Sequence, residues 1–223
     1  MIHGTSNAFV IRDCALIKIG TGVHARDLRE FRSQLETIHP ACIYFHFWGT
    51  LLRPRFEHPL YPNDFAEWAH HGLHDKRLAE RLGVIDPADF NDTEALRQEL
   101  AGVVDQRLDE TESVPAATRD SPFNWIGSSI VVFATPGRIA HPRETAAALQ
   151  TMTLSSVFYH FIDARRRHPE SIDDFRRWLQ CFDHEYQSLA ERIAHIDPYF
   201  TSLHDLRHEL LNTFQGFFEE KRA

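Results

Sequence analysis

The chain contains one five-residue signature twice. Ile43-Tyr44-Phe45-His46-Phe47 recurs as Val157-Phe158-Tyr159-His160-Phe161, aliphatic, aromatic, aromatic, His, Phe in both copies, 114 residues apart. A self-match at about half the chain length constrains the fold more than any single element, because each copy must build the same supersecondary unit.

The match extends well beyond the signature. At the same offset Phe9 meets Phe123, Leu16 meets Ile130, Leu35 meets Leu149 and Ile38 meets Met152. After the histidines the second copy is shorter and the offset becomes 110, so that Asn63-Asp64-Phe65 meets Asp173-Asp174-Phe175 and Trp68 meets Trp178. Leu96-Arg97 then meets Leu206-Arg207. The reading is a tandem duplication, residues 8–112 and 122–220, joined by a polar, proline-containing linker over 109–121.

Each half opens on residues suited to a strand, Phe9 to Ile19 and Trp125 to Ala134. Turns are expected at Gly20-Thr21-Gly22 and Pro136-Gly137. Leu28, Phe31, Leu35 and Ile38 then fall on one helical face. The His signature opens a second helix. Asp64 and Asp174, or the residues before them, cap a third. A fourth runs near 75–83 and 185–194, and the last starts at Asp92 or Ser202, with Ser202 to Asp205 resembling a capping box. The expected fold class is mainly α (α+β), four to five helices plus one strand per half. A lone strand is unstable, so the two strands should pair across a pseudo-twofold axis in one intertwined domain, 1–223.

Composition sets outer limits. The 223 residues carry a formal charge of −8, which argues against nucleic acid or an anionic membrane as general partners. Cys14, Cys42 and Cys181 give no disulfide framework, no secretory signal is visible and no apolar run is long enough to span a bilayer, so a cytoplasmic setting is expected.

The stretches Phe45-His46-Phe47-Trp48-Gly49, Leu51 to Pro59 (Leu-Leu-Arg-Pro-Arg-Phe-Glu-His-Pro), Leu73 to Lys76 and Phe158 to Arg167 resemble a prokaryotic family of unknown function. The family's Thr-Gly-Arg turn is kept loosely, as Thr135-Pro136-Gly137-Arg138 and Thr21-Gly22-Val23. The resemblance implies full-length homology and a prokaryotic cytosolic protein, and carries over no activity.

The paired histidines admit two readings. His46 and His160 are either core imidazoles bonded to a carboxylate such as Asp64 or Asp174, or ligand contacts at a shared pocket. Arg53 and Arg167 lie seven residues after their histidines, on the same helix face, and with Arg55, His58 and Arg165 form candidate contacts for an anion. His71, His74, Cys181 and His184 are metal-competent types, but they match no standard zinc spacing, so no metal and no cofactor is expected. No phosphate loop, dinucleotide fingerprint, nucleophile elbow or His-Glu-x-x-His motif is present. The sequence therefore points to a non-catalytic, small-ligand-binding or regulatory protein with a pseudo-symmetric His/Arg site, its partner a small anionic ligand or another protein. The rivals are a His-dependent or metal-assisted hydrolase using the same residues, and a purely structural subunit.

Overall fold

The computed structural model describes residues 8–52, 59–168, 170–182 and 184–221. The protein is mainly helical and, among the described residues, has two strands, β1 (Phe9–Ala25) and β2 (Phe123–Ile139), paired antiparallel in a two-stranded sheet. The expected pairing is present. The strands, however, run through both expected turns. Thr21 Oγ1 donates to the Trp125 carbonyl and Thr135 Oγ1 to the Ile11 carbonyl, each at 2.6 Å. These bonds hold strand to strand where Gly and Pro suggested a reversal. Gly22 absorbs the local irregularity with a φ of +76°, which side-chain-bearing residues adopt only with strain. Pro136 has no N–H to give, and a two-stranded ribbon offers outward-facing positions where none is needed.

The chain forms two compact units, one of residues 16–130 and the other of residues 131–223 together with 1–15. Both boundaries fall inside the strands. The segment after residue 109 is irregular but tied down: Leu28 N–H donates to the Pro115 carbonyl and Ala117 N–H to the Arg26 carbonyl.

In the first unit the helices are α1 (Leu28–Thr37), α2 (Pro40–Trp48), α3 (Asp64–His71), α4 (Lys76–Gly83) and α5 (Thr93–Asp109). Side chains of Asp27, His39, Asn63, Asp75 and Asp92 accept from the first free N–H groups of these helices, which is why each begins where it does. The residue before Asp64 is thus the cap of α3. Leu28, Phe31 and Leu35 bury the expected face of α1. α2 is apolar almost all round and buried from Cys42 through Trp48, except Tyr44, so His46 sits in a helix with little contact to water. It ends at Gly49, where an added Cβ would meet the Phe45 ring at 2.7 Å.

In the second unit α6 (Thr145–Thr151) precedes one continuous helical run made of α7 (Leu154–Val157), a π-helical stretch (Phe158–Asp163) and α8 (Ala164–Arg167). α9 (Asp174–Leu179), α10 (Gln187–Ala194) and α11 (Leu203–Glu220) follow. Asp173 caps α9, and Ser202 Oγ accepts from Asp205 N–H to cap α11, as its sequence suggested. Among the described residues no helix is long and apolar enough to cross a membrane.

Arginines close the helix ends nearest the core. Arg97, on α5, donates to the Leu35 and Ile38 carbonyls at the end of α1, and Arg207 donates to the Met152 carbonyl after α6. A buried cation giving several bonds to otherwise orphaned carbonyls strongly constrains the packing. Arg97→Met should keep the aliphatic volume and lower stability by about 2 kcal/mol in urea unfolding; an unchanged midpoint would show that water serves those carbonyls equally well.

Candidate functional site

A two-stranded ribbon leaves each strand with outward N–H and C=O groups that no third strand accepts. In the second unit helical side chains take that place. Arg12 N–H donates to His160 Nε2 at 2.9 Å, and Ser156 Oγ donates to the Arg12 carbonyl at 2.7 Å. Because Nε2 accepts, the proton of the neutral ring lies on Nδ1, which donates to Asp174 Oδ2 at 2.7 Å. The first unit repeats this chemistry: Ile126 N–H donates to His46 Nε2 at 3.1 Å, and His46 Nδ1 to Asp64 Oδ2 at 2.8 Å. The imidazoles are 2% and 3% exposed. Each packs on the first aromatic residue of a strand, His160 on Phe9 and His46 on Phe123, with ring centroids 4.7 Å apart in both cases. Of the two sequence readings, the geometry is that of the bonded core imidazole.

Asp174 gathers more than one partner. Arg167 Nη2 donates to Oδ2 at 2.9 Å and His168 Nε2 meets Oδ1 at 2.7 Å. Burial pushes this carboxyl up, but the bonds from His160, His168 and Arg167 outweigh it and hold the group down at about 2. Arg167 is itself anchored: Nε bonds Asp163 Oδ2, Nη2 also bonds the Tyr159 carbonyl, and the guanidinium lies 4.0 Å from the Tyr159 ring centroid. Asp163 is buried and holds Arg166 as well. Arg177, one turn along from Asp174, reaches His168 Nδ1.

These groups border a cleft of about 490 Å³ lined by Phe9, Arg12, Tyr159, Arg167, Arg177 and Trp178, with Asp174 and Cys181 also on its wall. The π-helical stretch supplies Tyr159 and His160. Such stretches depart from α geometry at a cost and are frequent at functional sites.

The expected site residues are thus divided. Arg167 lines the cleft, and His160 contributes there while both its ring nitrogens are bonded to protein. Arg165 lies over the Phe161 ring, 4.8 Å from its centroid. Arg53, Arg55 and His58 lie outside the described residues. Of the metal-competent residues, His71 Nε2 faces Glu67 at 3.4 Å, His74 has a φ of +55°, Cys181 borders the cleft, and the His184 carbonyl accepts from Gln187 N–H before α10. Among the described residues no three His, Cys, Asp or Glu side chains gather as a metal site would require. The other thiols are shielded. Burial, then Asp163 and Asp13, push Cys14 up to about 12, and burial raises Cys42.

Sequence reasoning missed Arg12 and Arg177 as site residues. Arg177 carries a local signal, three residues after Asp174 on one helix. Arg12 carries none, since it meets His160 across 148 residues of chain.

A family model matches residues 6–215. The chain belongs to the family of unknown function DUF5752. The family resemblance seen in the sequence is therefore correct at that level. OrfY from Thermoproteus tenax has a similar solved structure, with a TM-score of 0.81, 28% sequence identity and 94% of each chain covered. No curated protein matches the chain. The site geometry consequently bears the functional argument for this DUF5752 chain.

The lowered Asp174 carboxyl carries a stability signature. Its folded value of about 2 lies below the ordinary 3.8, so folding favours the ionised form. That contribution is complete above the ordinary value and is lost as pH falls toward the folded one; it amounts to about 2 kcal/mol. Urea unfolding of Asp174→Asn should show a stability deficit that narrows from about pH 5 to about pH 2. A deficit independent of pH would remove the carboxylate network from the account.

Proposed function

We propose that the protein is a non-catalytic binding protein that holds a small, anion-bearing molecule in the cleft beside Arg167 and Arg177. The observation that carries this reading is the concentration of Arg12, Arg167 and Arg177 on one cleft of a chain whose formal charge is −8. Arg167 is preorganised by Asp163, Asp174 and Tyr159, and its bonds use Nε and Nη2. Arg177 is exposed at the cleft wall. A guanidinium fixed before the ligand arrives loses little freedom on binding. A hydrolytic role for His160 would require Nε2 as a base, and that lone pair is engaged by the Arg12 N–H.

We further read the two units as products of a duplication. Matched bonds support this: the two His–Asp pairs on strand N–H groups, and the bidentate pairs Arg81–Glu110 and Arg192–Glu220. The family resemblance and the absence of any disulfide among the three cysteines favour a prokaryotic cytoplasmic setting.

A thermal-shift panel of inorganic phosphate, citrate, benzoate and phenyl phosphate at constant ionic strength tests the reading. At least one anion should raise the melting temperature, and Arg177→Ala should abolish that shift while leaving the ligand-free melting temperature within about 2 °C. No shift with any anion, or an equal shift in the variant, would overturn it.

A further inference from the structure

The cleft beside His160 specifies more than an anion. The inference below rests on the binding reading just given and narrows its ligand. Its guanidinium and carboxylate lining residues are Arg12, Arg167 and Arg177 against Asp174, three positive charges and one negative. The Asp174 carboxylate is ionised throughout the neutral range and is committed to His160, His168 and Arg167. The lining therefore carries a net charge of about +2, which a doubly charged group neutralises and a single carboxylate neutralises only in half.

The remaining lining is mostly apolar. Phe9, Val10, Tyr159 and Trp178 form most of it, beside His160 and Cys181, with Val10 the most open of the four. The cleft, of about 490 Å³ and open to solvent, has room for an organic body beside a phosphoryl group. Arg177 stands one residue from Trp178, and Arg167 rests on Tyr159, so the cationic and apolar faces adjoin within the cleft.

We propose that this site binds a phosphate monoester, its dianionic phosphoryl group between Arg167 and Arg177 and its ring-sized organic portion against Val10 and the aromatic wall. Arg167 Nε and Nη2 are already bonded to protein, so Arg167 would meet the phosphoryl oxygens through Nη1, and Arg177, whose Nη1 reaches His168, through Nε and Nη2, a fork that suits two tetrahedral oxygens.

Cys181 offers a direct footprint. It is exposed on the cleft wall, whereas Cys14 and Cys42 are buried with raised thiols, so iodoacetamide should modify Cys181 first. The experiment compares alkylation rates of the full chain with phenyl phosphate, inorganic phosphate and benzoate at constant ionic strength. Phenyl phosphate should slow modification of Cys181 with an affinity about tenfold above either other probe. That affinity should weaken as pH falls below about 6, where the phosphoryl dianion takes a proton and becomes a monoanion. Arg177→Lys, which keeps the charge but not the fork, should lose most of the protection. Equal protection by benzoate and phenyl phosphate would leave the anion site standing and overturn the phosphate monoester. Absence of protection by phenyl phosphate, with a thermal shift from citrate or benzoate, would do the same. Absence of both protection and thermal shift for every anion would overturn the site itself.

Discussion

A strand edge without a neighbouring strand is the constraint around which this structure is built. Among the described residues β1 and β2 pair only with each other, and a buried outward amide without an acceptor costs about 1–3 kcal/mol. The chain meets this cost with an imidazole in each unit. Nε2 accepts the strand N–H, which fixes the tautomer, and Nδ1–H then requires an acceptor of its own, which Asp64 or Asp174 provides. Strand edge, imidazole and carboxylate form a chain in which each member is satisfied only if the next is present. Such linked networks confer a unique register more than raw stability. They also explain a histidine within a helix as apolar as α2.

The same demand produces the candidate site. Asp174 accepts from His160 but is only partly buried, and its other lone pairs recruit Arg167 and His168, with Arg177 beyond. What begins as satisfaction of the strand edge ends as an ordered group of cations beside an aromatic wall. Asp163, buried at the end of the π-helical stretch, accepts from Arg167 Nε and fixes it. The site is thus an outgrowth of the core network and shares its rigidity.

Much of this was legible in the sequence. The recurring signature singled out His46 and His160, and the alignment after it placed Asp64 and Asp174 opposite one another as candidate partners. Helix starts followed from Asn63, Asp92 and Ser202, whose side chains cap locally. Three features were not legible. The strands outlast Gly22 and Pro136 because threonine side chains bond across the ribbon, a long-range effect that local turn propensity does not encode. The π-helical stretch has the composition of an α-helix. The role of Arg12 depends on a backbone amide meeting a ring from the far end of the chain, for which no spacing rule exists.

The central claim is that imidazole nitrogens cap the strand edges, and nitrogen-15 NMR reads it directly. Both rings should appear as the Nδ1–H tautomer at neutral pH, with a through-hydrogen-bond coupling from the Arg12 amide to His160 Nε2 and from the Ile126 amide to His46 Nε2. An Nε2–H tautomer for either ring, or strand amides at Arg12 and Ile126 that exchange with solvent as freely as those of an open edge, would contradict the account.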